Sequence, residues 1–326
     1  MSFLFLVSMY ILSCIFIILI FIYKKLKYIL NNYKNVCIII LKKRENNYLK
    51  GVQYMKSALV KKIAAVAAVA VLAISMVGCG SSGDENKTAL DKIKESGKLV
   101  VGTSADYPPY EFHATVDGKD EIKGFDIDIA QAVADDLGVK LEIKDMDFDG
   151  LLVALQGDKV DMVFAGMTPT EERKQNADFS DIYYTATHRF ILRSGEEGSV
   201  KSFDDLKDKK IGVQKGSIQE GIAKDNFDAA NIKSLAKVTD LVLDLKNNKV
   251  DAILIEDGVA KINCDKNEGI AMSDFVVTDE EGGSAIALKK GSTELQTEVN
   301  NTINKLKSED KITKFVSDAN DLAAEQ

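Results

Sequence analysis

Arg173 closes a short run, Ala165-Gly166-Met167-Thr168-Pro169-Thr170-Glu171-Glu172-Arg173, whose residue types suit the capture of a carboxylate. A guanidinium forks onto two carboxylate oxygens through parallel hydrogen bonds. The residues ahead of it read as a helix start. Thr168 is the expected N-cap, Pro169 suits the first helical position, and Glu171 stands three residues after the cap, as in a capping box. Free backbone N–H groups and the positive end of a helix dipole would then meet the arginine at one corner. An ordinary capped helix with a solvated arginine accounts for the same residues, so the rest of the chain must decide.

The elements around this corner follow a simple order. Lys98–Thr103 reads as a buried strand, followed by a loop holding Ser104, Tyr107 and two prolines. A helix then carries Phe125, Ile129, Val133 and Leu137 on one face, with Asp126 and Asp128 in its first turn and Gly138 as its C-cap. Residues 140–144 read as a second strand, 149–156 as a short helix stopped by Gly157, and 160–165 as a third strand. This βαβαβ order implies a parallel sheet with helices on its faces. Ligands of such sheets bind beyond the carboxyl ends of the strands, where Ser104, Phe148, Gly166 and Thr168 fall.

The order then repeats. Residues 210–214 form a strand, Gly216-Ser217-Ile218-Gln219-Glu220 a second capped helix start, 239–246 a helix and 250–255 a strand. Leu155-Gln-Gly-Asp-Lys-Val-Asp-Met-Val-Phe-Ala-Gly166 lines up with Leu245-Lys-Asn-Asn-Lys-Val-Asp-Ala-Ile-Leu-Ile-Glu256, so Gly166 and Glu256 occupy the same place in two units. His188–Arg193 and residues 284–289 flank the second unit and are expected to be its two crossings to the first. Val299, Ile303, Leu306, Ile312 and Phe315 give a helical apolar pattern that returns to the first unit.

Composition narrows the function. The 326 residues carry a net charge of −8 with no basic cluster after residue 62, which argues against nucleic acid as a partner. His113 and His188 are the chain's two histidines, the acids lack calcium-loop spacing, and no metal or cofactor is expected. After Cys79 the one cysteine is Cys264, so the part that follows has no intrachain disulfide. Residues 2–22 are apolar enough for a membrane span. A second signal starts at Met55, with Lys56, Lys61 and Lys62, an apolar stretch over 63–74, and Met76-Val77-Gly78-Cys79, which resembles a lipoprotein cleavage box. A second membrane helix is the alternative. Two such signals in series suggest that residues 1–54 are an upstream mis-start: Lys50-Gly51-Val52 can be encoded by AAA-GGA-GTN, which contains a ribosome-binding sequence. Residues 55–78 are then a lipoprotein signal peptide, Cys79 the lipidated residue, and 79–97 a tether.

From about Leu99 onward the chain resembles the periplasmic-type amino-acid-binding proteins of ABC importers, notably the glutamine- and lysine/arginine/ornithine-binding members. The matching stretches are Val101-Gly-Thr-Ser-Ala-Asp-Tyr-Pro-Pro-Tyr-Glu-Phe112, Gly124-Phe-Asp-Ile-Asp-Ile129, Met146-Asp-Phe-Asp-Gly150, Ala165 to Arg173, Phe179-Ser-Asp-Ile-Tyr-Tyr184, Gly212-Val-Gln-Lys-Gly-Ser-Ile-Gln219 and Asp251-Ala-Ile-Leu-Ile-Glu256. The resemblance implies a periplasmic-binding-protein-like α/β fold: two βαβ lobes joined by two crossing strands, lobe 1 discontinuous over 98–190 and 283–326, and lobe 2 over 191–282. It implies that Arg173, with the turn of Ala165, Gly166 and Thr168, holds a ligand α-carboxylate. It further implies that Tyr107 and Phe148 sandwich the side chain, that Gln214, Ser217, Ile218 and Gln219 close over the ligand, and that Glu256 takes the α-ammonium. Two positions depart from the family: Glu256 replaces an aspartate, and Ser104 replaces an aspartate that reads the side chain. Asp257 is the alternative ammonium ligand. The expected function is capture of a polar L-amino acid by hinge closure and its delivery to the transmembrane subunits of an ABC permease, from a lipid-anchored position on the extracellular face of the membrane. The alternative is a cyclohexadienyl-dehydratase-like enzyme on the same scaffold.

Overall fold

Residues 87–278 and 282–326 are described by a computed structural model. The expectations for residues 1–54, the signal peptide, Cys79 and most of the tether lie outside them. After helix α1 (Ala89–Ser96), β1 (Lys98–Thr103) leads into a small hairpin sheet of β2 (Asp106–Tyr107), β3 (Glu111–Val116) and β4 (Lys119–Lys123). Helix α2 (Phe125–Leu137) follows, with Phe125, Ile129, Val133 and Leu137 all buried and Gly138 left-handed at its C-cap. Then come β5 (Lys140–Asp145), a 3₁₀ turn at Phe148–Gly150, α3 (Leu151–Gln156), β6 (Met162–Val163), α4 (Glu171–Lys174) and β7 (Ala177–Phe179). Strand β6 is shorter than expected. Asp161 uses both its N–H and its carboxylate on Val100, and the chain turns at Gly166.

The second unit contains β8 (His188–Arg193), β9 (Ile211–Gln214), α5 (Ile218–Asn226), β10 (Ile232–Leu235), α6 (Val238–Lys246), β11 (Ala252–Glu256), α7 (Asp257–Lys266) and β12 (Ile270–Val277). Strand β13 (Ala287–Lys289) and helices α8 (Thr293–Ser308) and α9 (Lys311–Glu325) return to the first. The main sheets are five-stranded, in the orders β5-β1-β6-β13-β7 and β10-β9-β11-β8-β12. In each, the first three strands are parallel and the fourth is antiparallel.

His188–Arg193, expected as a crossing, is therefore a full strand of the second sheet, paired with β11 and β12. The expected boundary at 190 falls inside that strand and moves to the segment before it. Ala287–Lys289 likewise belongs to the first sheet. The crossings lie just ahead of these strands, where Tyr184 and Ser284 form an antiparallel bridge.

The repeat extends to atoms. Asp161 accepts from the Val100 N–H, and Asp251 accepts from the Lys210 N–H, each at the start of its central strand. Asp158 and Asn248 are both left-handed, at φ of 54° and 57°, where the helix turns into the strand. Gly102 packs against Leu151 and Val160 as Gly212 packs against Leu241 and Val250.

Candidate functional site

The carboxyl ends of both sheets face one cleft. Tyr107, Phe148, Ala165, Gly166, Thr168, Arg173, Gln214, Ser217, Ile218, Gln219 and Glu256 line a single pocket there. Its volume is about 10 Å³, the room of about one water molecule. Every residue expected at the site lines it except Ser104. That serine is buried, and its hydroxyl donates to Asp106 Oδ1 at 3.2 Å.

The arginine corner differs in detail from the sequence reading. Thr170, not Thr168, is the N-cap, its hydroxyl accepting from the Arg173 N–H at 3.2 Å. Pro169 sits in a tight turn closed by a Thr170 N–H to Thr168 carbonyl bond of 3.0 Å. A proline φ suits the centre of such a turn as well as a first helical position. Helix α4 is a single turn, so its dipole is small. The positive character of the corner rests on Arg173 itself. One guanidinium nitrogen donates to the Thr168 carbonyl at 2.7 Å, and another to the Gly216 carbonyl of the opposite unit at 2.9 Å. The guanidinium carbon lies 5.4 Å from the centre of the Phe148 ring, within cation–π range.

Gly166 forms the floor of this corner at φ +53°, and a Cβ there would come within 3.1 Å of the Tyr110 ring. Its N–H donates to Asp126 Oδ2 at 2.9 Å, and the Tyr183 hydroxyl donates to the same oxygen at 2.8 Å. Burial raises the Asp126 pKa to about 7, against the pull of these two donors. The sequence places Asp126 in the first turn of α2, and the structure adds that its carboxylate is fully buried between Phe125 and Ile127, where it anchors the Gly166 turn.

In the opposite unit, Ser217 caps α5, accepting from the Glu220 N–H at 3.2 Å and donating to the Gln214 carbonyl at 2.7 Å. The Glu220 carboxylate reaches back to the Gly216 N–H rather than to that of the cap. Gln219 is buried with its amide nitrogen 3.2 Å from His188 Nδ1. Glu256 ends β11 and is 5% exposed. Burial and the adjacent Glu256 charge raise the pKa values of Tyr107 and Tyr110 well above the ordinary tyrosine value. Asp257 turns away to pair with Arg189 at 3.4 Å. Arg173 from one unit and Glu256 from the other thus border one pocket whose lining includes the Tyr107 and Phe148 rings. That arrangement complements a zwitterion.

The family model for bacterial extracellular solute-binding proteins, family 3, matches residues 99–318. The chain belongs to this family. It is similar to the arginine-binding extracellular protein ArtP of Bacillus subtilis, with 39% identity over 78% of this chain and 96% of the relative. It is also similar to the L-cystine-binding protein TcyJ of Escherichia coli, with 33% identity over 76% of this chain and 91% of the relative. Among solved structures it resembles the amino acid ABC transporter substrate-binding protein AbpA of Streptococcus pneumoniae bound to L-arginine. The TM-score is 0.70 and the identity 40%, covering 72% of this chain and all of that one.

Proposed function

We propose that this protein captures an L-amino acid between its two lobes, L-arginine first among candidates, and delivers it to an ABC permease from a lipid anchor at Cys79. The observation that carries the reading is that Arg173 and Glu256, from opposite lobes, line the same pocket. A desolvated zwitterion needs a fixed partner for each charge. Arginine is favoured by the relatives ArtP and AbpA. Tyr107 and Phe148 suit stacking on a guanidinium, and the Gln214 and Gln219 carboxamides supply acceptors. The pocket is too small for an amino acid as it stands, so the ligand enters when the lobes part at the Tyr184–Ser284 bridge.

The protein works as a carrier, not an enzyme. Glu256 is the pocket's one carboxylate among the described residues, and the ligand ammonium occupies it. The test is a thermal-shift screen against the twenty amino acids. A ligand at about a hundred times its dissociation constant stabilises by roughly 2.7 kcal/mol. Failure of every amino acid, together with turnover of prephenate or arogenate, would reverse the assignment. For the anchor, Cys79→Ser is expected to lose fatty-acid label in growing cells; equal label in the variant removes the lipoprotein assignment.

A further inference from the structure

We infer that Asp106 of lobe 1 is a positioning residue that caps helix α6 of lobe 2 across the cleft, and so latches the site shut. The inference rests on the hinge-closing reading above. Helix α6 is the element with a missing part. Its N-cap residue is Lys237, which provides no side-chain cap, and Val238 behind it is 1% exposed. The first N–H groups of a helix have no partner within the helix. Here the Val238 N–H donates to Asp106 Oδ2 at 2.5 Å, so the cap comes from the other lobe.

The acceptor is itself held in place. Ser104 donates to the second oxygen, Asp106 Oδ1, at 3.2 Å. This gives Ser104 a task outside the ligand pocket: it steers the latch. Burial raises the Asp106 pKa, while the Val238 N–H, Lys237 and Ser104 pull it down. The same rim adds weaker pairs between the lobes. Lys237 Nζ stands 3.6 Å from Asp147 and 4.0 Å from Asp145, and Lys215 Nζ stands 2.8 Å from Asp149. Gly216 presses on Asp149 so closely that a Cβ would lie 2.9 Å from the Asp149 Cβ.

Opening returns the Val238 N–H to water, which satisfies it. Closing without Asp106 buries it unpaired. Asp106→Ala should therefore penalise the closed state alone, whereas Asp106→Asn keeps a side-chain oxygen and should recover most of the loss.

Two readouts on the full chain test this. Radiolabelled L-arginine should leave Asp106→Ala on the order of 10-fold faster than wild type, with association little changed, and the Asn variant should release near the wild-type rate. Hydrogen–deuterium exchange over residues 238–241 should slow on adding L-arginine in wild type and Asp106→Asn, and not in Asp106→Ala. Equal release and equal protection in wild type and Asp106→Ala overturn the latch. If wild type binds no amino acid, the carrier reading fails, and exchange in the ligand-free chain decides: equal rates in wild type and Asp106→Ala overturn the latch, while faster exchange in the variant supports it.

Discussion

Arg173 does three things at once, and each limits what can replace it. It ties the Thr168 carbonyl to the corner, reaches the Gly216 carbonyl of the other lobe, and lies against the Phe148 ring. A lysine keeps the charge but cannot fork or stack in the same way. Glu256 is its counterpart in lobe 2, buried beside Tyr107 and Tyr110. Removing either charge leaves one end of a desolvated zwitterion uncompensated, a loss on the order of 2–5 kcal/mol. Arg173→Ala and Glu256→Gln are each expected to weaken binding by roughly 30-fold or more, and Arg173→Lys to recover only part. Titration calorimetry with the screened ligand reads the loss, and circular dichroism controls for folding. Asp257→Asn should bind like wild type, because that side chain is engaged with Arg189; the reverse pattern would move the ammonium site by one residue.

At the scale of elements, β3 and α2 bring two carboxyl groups into the core behind the site. Glu111 is 1% exposed, and neither of its carboxylate oxygens has a hydrogen-bond partner among the described residues. Burial first, then Asp126, Asp106, Glu256 and Asp145, push its pKa well above the ordinary 4.5. The folded chain then keeps a proton that the unfolded chain releases, so this group costs stability increasingly as pH rises above 4.5. Glu111→Gln removes that cost. Urea unfolding between about pH 5 and 8 should show the variant gaining on wild type by up to roughly 1.4 kcal/mol per pH unit. A constant difference would mean that Glu111 is ionised in the fold. The elements themselves were largely legible in the sequence, because the Lys-Val-Asp echo and the i+4 stripe of α2 are local signals. Asp117-Gly118 was an equally local hairpin signal, left-handed at both residues, and the β3–β4 hairpin it makes went unread. The Thr168 cap was misplaced because Pro169 fits two kinds of turn. The pocket residues became legible through family resemblance, not periodicity. Asp106 and Asp126 stayed hidden because a loop acid and a first-turn acid each had a sufficient local explanation, while their partners, Val238 and Gly166, are distant in sequence.

At the scale of the two lobes, the candidate pocket is lined by residues from both. Each half is built by its own sheet, and the register between them depends on the two crossing segments. The Ser284 N–H donates to the Tyr184 carbonyl at 2.8 Å, and the Tyr183 N–H donates to the Ser284 carbonyl at 2.9 Å. Gly283 sits against this pair at φ +126°, where a Cβ would lie 2.3 Å from the Tyr184 oxygen and 3.0 Å from the side chains of Ile182 and Thr185. An alanine cannot fit unless the crossings separate, and separated crossings rotate one lobe against the other. Both halves of the pocket stay intact while Arg173 and Glu256 lose their mutual placement. A misplacement of about 1 Å can cost on the order of 100-fold where geometry must be matched, so Gly283→Ala should weaken ligand binding by about 10-fold or more. Backbone strain alone has a control within the chain. Gly291 is also left-handed, at φ +85°, but no atom lies within 4 Å of its Cβ position and it stands away from the crossings. Gly291→Ala should cost about 1 kcal/mol of stability and leave affinity unchanged. Calorimetry and thermal unfolding on both variants separate the two effects. Equal affinities in Gly283→Ala and wild type would show that the crossings do not set the register of the lobes.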